Sequence, residues 1–283
     1  MSRLQEVDGQ RRAMSTIVNL TSVFEGLASM RISQTKNQVL QSQNFFNELW
    51  QMYSQIRVDN LFRFGRAQHE QAVDKQLYIV VTAEGGFSGD IDQKLISWML
   101  TQYDPAKQDI IVIGHHGALQ LIQRDVNFKK YFTLPARDKN INVQPLIHEV
   151  RRYKSTVVFY QTYVSLMVQD IKRIELNRAV QEKGKRAGQA DEIISEQTYI
   201  FEPSSFDVMA HLERSMMEIA LSQVILDSKL AQYASRFRAM SMANDKSDEW
   251  YRDLTADYNR TKRRIQDERL KEIINGLRTT KSA

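Results

Sequence analysis

The hydrophobic pattern is clearest in the last third of the chain, where the stretch from Pro203 to Asn275 contains neither an internal proline nor a glycine. Leu212, Met216, Ile219, Leu226, Leu230, Tyr233, Phe237, Met240, Tyr251, Leu254, Tyr258 and Ile265 recur at alternating steps of three and four, with Gln223, Asn244, Ser247 and Thr261 as polar members of the same series. A repeat averaging 3.5 residues keeps one stripe turned toward a partner helix, so the pattern predicts a heptad seam. At about 1.5 Å per residue such a helix is roughly 100 Å long and must bury its seam against another long helix. The first part of the chain offers one. Leu4, Val7, Met14, Ile17, Thr21, Phe24, Ala28, Thr35, Val39, Phe45, Leu49, Met52 and Ile56 also follow mixed spacing of three and four. The expected fold is therefore an α/β domain inserted in a long antiparallel α-helical coiled coil formed by the N- and C-terminal helices. The corresponding division is residues 1–68 for the first helix, 69–203 for a Rossmann-like α/β domain and 204–283 for the last helix. A dimerisation coiled coil between two copies is the competing explanation of the heptads.

The middle of the chain changes character. All four prolines, Pro105, Pro135, Pro145 and Pro203, lie there, and most of the glycines fall between Gly65 and Gly188. Leu77 to Ala83 is a short apolar run that ends in Glu84-Gly85-Gly86-Phe87-Ser88-Gly89, which predicts a buried parallel strand and a tight turn. Ile91 to Tyr103 places Ile91, Leu95, Trp98 and Met99 on one helical face, and Pro105 stops it. Asp109 to Ile113 is a second buried strand, followed by Gly114-His115-His116-Gly117 and a short helix carrying Leu119, Leu121 and Ile122. Leu146 to Tyr153 is a further helix candidate. Thr156 to Tyr163, Val164 to Leu176 and Thr198 to Phe201 supply strand candidates, and residues 181–192 read as a charged loop. This order suggests a small layered α/β unit.

Composition excludes several kinds of chemistry. The 283 residues carry a net charge of +5 with acidic and basic side chains interspersed, so no basic stripe for nucleic acid appears. There is no cysteine, hence no disulfide and no thiolate nucleophile. No apolar run reaches the roughly 18 residues of a membrane span. The glycine turn at 85–89 sits where a phosphate loop would, yet it lacks the Lys-Ser/Thr ending and the G-x-G-x-x-G pattern, which favours a structural turn. His115 and His116 are adjacent, so their side chains diverge. Chelation would require His148, His69 or a carboxylate from elsewhere, and surface loop histidines are the simpler reading. Neither catalytic, cofactor-binding nor metal-ligating residues are assigned. The methionines follow helical spacing and read as packing, whereas Tyr233, Phe237, Tyr251 and Tyr258 are large for a two-stranded seam and mark places where the helix could meet another protein.

Several short motifs, in order, resemble the gamma subunit of F-type ATP synthases, the central rotor shaft. Tyr199-Ile200-Phe201-Glu202-Pro203-Ser204 is similar to the Y-x-F-E-P-S preceding that family's C-terminal helix. Arg236-Phe237-Arg238-Ala239-Met240 resembles R-M-x-A-M, Leu254, Tyr258 and Asn259 fit L-x-x-x-Y-N, and Glu272 to Gly276 resembles E-I-V-x-G. Gly86 to Gly89 is similar to G-L-C-G, and Leu20-Thr21 to the I-T of the first helix. Both methionines of the family's I-T-x-x-M-x-M-V-A have changed, its Arg-Gln pair aligns with Lys262 and Arg263, and its Thr with Asp267, which marks a divergent member. The resemblance implies a non-catalytic subunit without a cofactor that couples ion-driven rotation to conformational change in a ring of alpha and beta subunits. It implies contact with that ring through Phe24, Glu25, Phe237, Met240, Lys262, Arg263 and Asp267. The α/β domain is then expected near an epsilon-type subunit and the membrane rotor (c-type) ring. Membrane contact comes only through partners, at the cytoplasmic face of a bacterial plasma membrane or the matrix face of an organellar inner membrane. A gamma-like shaft of a divergent hydrolytic rotary ATPase and a homodimeric coiled-coil scaffold remain as alternatives.

Overall fold

The computed structural model describes residues 3–55, 73–134, 141–176, 178, 200, 202 and 204–281. In chain order the elements are α1 (Arg3–Gln55), β1 (Val73–Val81), α2 (Ile91–Leu100), β2 (Gln108–Ile113), α3 (His115–Ile122), β3 (Lys130–Phe132), α4 (Gln144–Val150), β4 (Tyr153–Tyr163), β5 (Gln169–Glu175) and α5 (Ser205–Lys281). The expected boundaries at 68/69 and 203/204, the strand proposed at 198–201, the loop at 181–192, His69 and Ile56 fall wholly or largely outside the described residues. The chain packs as two compact units, one made of Met1–Leu27 and Phe237–Ala283, the other of Ala28–Arg236.

The larger unit is built on a five-stranded sheet in the order β3-β2-β1-β4-β5. Strands β1 to β4 are parallel, with Ile79 opposite both Ile111 and Val158, while β5 returns antiparallel to β4 and sets Arg173 opposite Phe159. Alternation along β1 divides the core. Leu77, Ile79 and Val81 face one layer with Leu146, Ile147 and Val150 of α4, Phe46 of α1, and Met216, Met217, Leu221 and Val224 of α5. Tyr78 and Val80 face the other with Leu95, Ile96 and Met99 of α2, Leu121 of α3, and Phe159. A strand covered on both faces must be apolar throughout, which is why β1 reads as an unbroken hydrophobic run. Each fully buried Leu or Ile contributes about 1.5–3 kcal/mol, so these layers dominate the cohesion of the unit.

Two expectations are corrected in this unit, the end of one helix and the span of one strand, and two details are added. The helix candidate running to Tyr153 stops at Val150, because Tyr153 begins β4 and pairs with Val73. Of the three apolar residues placed on α3, Leu121 enters the core, whereas Leu119 and Ile122 are exposed and Gly117 and Ala118 supply the rest of the packed face. The segment Val164 to Leu176 is a hairpin tip followed by an edge strand. Strand β3 was not expected at all.

The smaller unit consists of the start of α1 and of α5 from Phe237 onward. The hydroxyl of Thr21 donates to Asn244 Oδ1 at 2.9 Å, and the guanidinium of Arg11, earlier on α1, lies 5.0 Å from the ring centre of Tyr258, later on α5. The two helices therefore run in opposite directions where they meet. On α5 the expected series holds: Met240, Asn244, Ser247, Tyr251, Leu254, Tyr258, Thr261 and Ile265 are buried or half-buried, and every residue from Gln266 to Leu277 is exposed. On α1 most of the expected series also holds, Leu4, Val7, Met14, Thr21, Ala28, Thr35, Val39 and Leu49 being buried or half-buried, but three positions are displaced by one residue. Val18 and Glu25, together with Phe46 in the larger unit, turn inward, while Ile17, Phe24, Phe45 and Met52 are exposed. Small or polar Thr21, Ala28 and Thr35, members of the expected series, sit on the buried stripe.

Candidate functional site

The parallel strands end, at their C-terminal side, in the loops that an open α/β sheet ordinarily turns toward a ligand. The topological switch lies between β1 and β4. In this chain that position is filled by a helix of the same polypeptide. Beyond β1, the Thr82 amide donates to Ile113 O at 2.8 Å, and its hydroxyl oxygen accepts the Gly117 amide at 3.0 Å. That close approach explains Gly114 and Gly117. Gly114 has φ +99°, and a Cβ there would collide with the Thr82 carbonyl, while one at Gly117 would collide with the Thr82 side chain.

The turn Gly85 to Gly89 carries the chain from β1 to α2 and docks on α5. Arg236 donates from Nε to Gly86 O at 3.2 Å and from Nη2 to Gly85 O at 3.3 Å and to Ser88 Oγ at 3.3 Å. The Ser235 hydroxyl donates to Ser88 O at 2.6 Å. The turn offers its carbonyls to a guanidinium, the reverse of a phosphate cradle, which presents amides. Burial pushes the pKa of Arg236 down, with Tyr233 and Asp92 acting in the opposite sense.

Beneath the turn lies a polar chain that the sequence did not reveal. Asp92, in the first turn of α2, has a side chain with no exposure. Its Oδ1 accepts Gln161 Nε2 at 2.6 Å, and its Oδ2 accepts the Ala83 amide at 3.2 Å and lies 2.7 Å from His116 Nδ1. On its other side Gln161 Oε1 accepts from the Ser228 hydroxyl and from Gln232 Nε2 of α5, the latter at 3.4 Å. Gln232 also donates to Ser228 Oγ at 2.9 Å. A buried carboxylate is tolerated only when its lone pairs are met, and three donors do so here. His116 is therefore more than a surface loop histidine: its hydrogen bond to Asp92 raises its pKa above the ordinary value, against the lowering effect of burial. His115 lies apart, its ring centre 6.4 Å from that of Tyr131. Among the described residues no group of His, Asp and Glu is arranged to hold a metal ion.

The opposite end of the sheet carries a second cluster. Asp109 at the start of β2 accepts from Lys129 at 2.7 Å, Lys75 at 3.3 Å and the Tyr153 hydroxyl at 2.9 Å. Burial raises the Asp109 pKa, but these bonds outweigh it and hold the carboxyl below its usual value. These contacts fasten strand ends together and leave no open cleft around the carboxylate.

The residues assigned to partner contact lie on α1 and α5 in the smaller unit. Phe24 is exposed and Glu25 half-buried, Phe237 is half-buried and Met240 is buried, and Lys262, Arg263 and Asp267 are exposed. Around Phe24, Ile17, Leu20, Val23 and Leu27 are also exposed. A second run, Leu270, Ile273, Ile274 and Leu277, is exposed beyond the end of the seam. Neither patch was legible in the sequence, where Ile17 and Phe24 fit the seam spacing. Among the described residues no helix is long and apolar enough to cross a membrane.

ATP synthase gamma chains of Staphylococcus aureus strains JH9 and Newman are 21% identical to this chain over 290 residues, covering 98% of each partner in the comparison. The family model described as ATP synthase matches residues 3–279. The chain belongs to the ATP synthase gamma family. Members of known structure share its fold. A chain of the Euglena gracilis mitochondrial ATP synthase, solved as OSCP/F1/c-ring in rotational state 3, superposes with a TM-score of 0.59 at 13% identity over 96% of this chain and 95% of its own length. A chain of the Tetrahymena thermophila mitochondrial ATP synthase central stalk/c-ring superposes with a TM-score of 0.56 at 14% identity, over 79% of this chain and 99% of its own. Family membership accounts for the order of elements, helix, α/β layer, helix.

Proposed function

We propose that this chain is the central-stalk rotor subunit of a rotary F-type ATP synthase, a non-catalytic part that transmits rotation of a membrane ring to a catalytic ring of alpha and beta subunits. The observation that carries the reading is the family match from residue 3 to residue 279, with gamma-chain relatives aligned over nearly the whole of both sequences. Under this reading α1 and α5 wind together as an antiparallel coiled coil, in line with the Thr21–Asn244 and Arg11–Tyr258 contacts. The α/β domain of residues 69–203 is inserted between them and faces an epsilon-type subunit and the c-type ring. Attachment to the membrane is peripheral and through these partners, at its cytoplasmic face or the matrix face of an organelle.

The catalytic ring contacts Phe24, Glu25, Phe237, Lys262, Arg263 and Asp267, while buried Met240 backs the same face from within the seam. Two features support this. The apolar side chains around Phe24 are left in solvent by the packing of the chain itself, and exposed apolar groups clustered on one helix mark an interaction surface. The charges at Lys262, Arg263 and Asp267 are exposed, and exposed ion pairs contribute only about 0–1 kcal/mol each, so they exchange as a shaft turns.

The absence of cysteine permits a direct test. Single cysteines replacing Phe24 and Arg263 should crosslink to alpha or beta subunits in the assembled complex, and one replacing Tyr131 on β3 should not. Crosslinks from Tyr131→Cys alone would overturn the assignment of the contact face. ATP-driven ion pumping by reconstituted membranes, lost when the chain is omitted, tests the coupling role.

A further inference from the structure

The polar chain that runs from His116 to α5 joins one proton-exchanging group to a helix that the rest of the unit must hold. His116 has one-third of its side chain exposed and so exchanges its proton with solvent, whereas the Asp92 side chain it touches has no exposure. The carboxylate then fixes the Gln161 amide. Because Nε2 points to Asp92, Oε1 must point to Ser228 and Gln232, the acceptor those α5 side chains use. The same carboxylate fixes the Ala83 amide, two residues before the turn that Arg236 and Ser235 hold from α5.

We propose that the His116–Asp92 pair is a protonation-dependent latch between the α/β layer and α5, closed by the imidazolium and loosened by the neutral ring. An isolated buried carboxylate is costly, and an adjacent cation offsets that cost. Neutral His116 still donates one hydrogen bond but supplies no charge, so Asp92 is left with three neutral donors and no imidazolium beside it. The other charged and titratable groups near the pair oppose or support it in known senses. Arg236 on α5 favours ionised Asp92 electrostatically. Glu84, ahead of the glycine turn, is engaged by the His115 amide at 3.2 Å, by the Leu134 amide and by the Tyr131 hydroxyl of β3. His115 points to the Tyr131 ring. Of these groups, His116 is the imidazole in contact with Asp92. Since its pKa is raised in the folded chain, the latch is fully closed below the ordinary imidazole value and opens as pH rises through the raised one.

The latch concerns contacts inside one chain, so it is tested on the full-length protein and does not depend on the rotor reading. The His116 ring is titrated by NMR while amide exchange is followed at Ala83, whose N–H donates to Asp92. The raised pKa means that the closed-to-open ratio falls on the alkaline side, by about tenfold for each unit that the titration shows, read as a proportional loss of protection at Ala83. His116→Gln keeps a neutral donor and should abolish the pH dependence of protection at Ala83, that is, of exchange corrected for its intrinsic base catalysis, while leaving protection in the β1 core unchanged. Asp92→Asn should return the His116 titration to its ordinary value. The latch is overturned if wild-type His116 titrates at or below the ordinary value, or if protection at Ala83, after correction for intrinsic base catalysis, shows no dependence on its titration. Both of these readouts come from the wild-type chain, so they decide the matter even where a variant fails to fold.

Discussion

Gly26 and Gly114 call for opposite substitutions. A Cβ at Gly26 meets nothing within 4 Å, and the residue lies inside α1, where glycine costs conformational entropy. Gly26→Ala is expected to stabilise the chain by about 0.5–1 kcal/mol. Gly114→Ala must accept φ +99° and a collision with backbone, so it is expected to destabilise by at least about 1–3 kcal/mol. Urea unfolding of the two full-length variants checks both signs at once. Asp92 is the second position where a single atom set matters. Asp92→Ala removes the acceptor of the Gln161 and Ala83 donors in a site closed to water, with an expected cost of about 3–5 kcal/mol. A loss below about 1 kcal/mol in the same measurement would mean that water or a rearranged Gln161 replaces the carboxylate.

At the scale of elements, α4 and β3 are joined by a single ion pair whose pH dependence can be read. Glu149 is buried on α4 and accepts Lys130 Nζ of β3 at 2.6 Å. That hydrogen bond holds its carboxyl below the ordinary pKa, with burial acting against it and the charges of Lys130, Arg152 and His148 adding to it. A depressed folded pKa means stability present above the unfolded carboxylate value and lost as pH falls through the folded one. Glu149→Gln should therefore flatten part of the acid limb of a stability–pH curve. At neutral pH it should cost about 1 kcal/mol, since the lysine is half exposed. A variant with the wild-type acid limb would show that β3 is held by its backbone pairing alone. How far the elements were legible follows from the same physics. Strands β1, β2 and β4 and helix α2 were readable because burial on both faces, or on one helical face, leaves an unbroken or periodic apolar signal. Strand β3 has three residues, two of them exposed, and carries no such signal, whereas β5 mixes charged with apolar residues along an edge, so its strand was expected within Val164 to Leu176 but its start was not. The α1 series was legible at Leu4, Val7, Met14, Thr21, Ala28, Thr35, Val39 and Leu49 and was placed one residue off at Ile17/Val18, Phe24/Glu25 and Phe45/Phe46, where both neighbours fit a step of three or four. Asp92 was hidden because one carboxylate beside Ile91 resembles an ordinary first-turn acid. Only the packing of Gln161 and His116 against it gives it a role.

At the scale of the whole molecule, the misread seam positions become the informative ones. Ile17, Leu20, Val23, Phe24 and Leu27 are exposed on α1 although the same helix keeps small and polar residues on its buried stripe. A helix with apolar residues on two sides is built to be covered twice, once within the chain and once by something else. The double variant Leu20→Gln, Leu27→Gln separates the two coverings. Glutamine and leucine have nearly equal helix propensity, and neither position lies on the buried stripe, so unfolding of the isolated chain should change by no more than about 0.5 kcal/mol. Self-association of the isolated chain, followed by sedimentation, should fall. Incorporation into a complex with alpha and beta subunits should weaken in proportion, since the lost apolar area is the area the ring would cover. Unchanged incorporation together with reduced self-association would assign this face to contact between copies of the chain, as the dimeric scaffold alternative requires, and would remove Phe24 from the rotor's contact surface. Reduced incorporation with unchanged stability assigns the stripe to the catalytic ring.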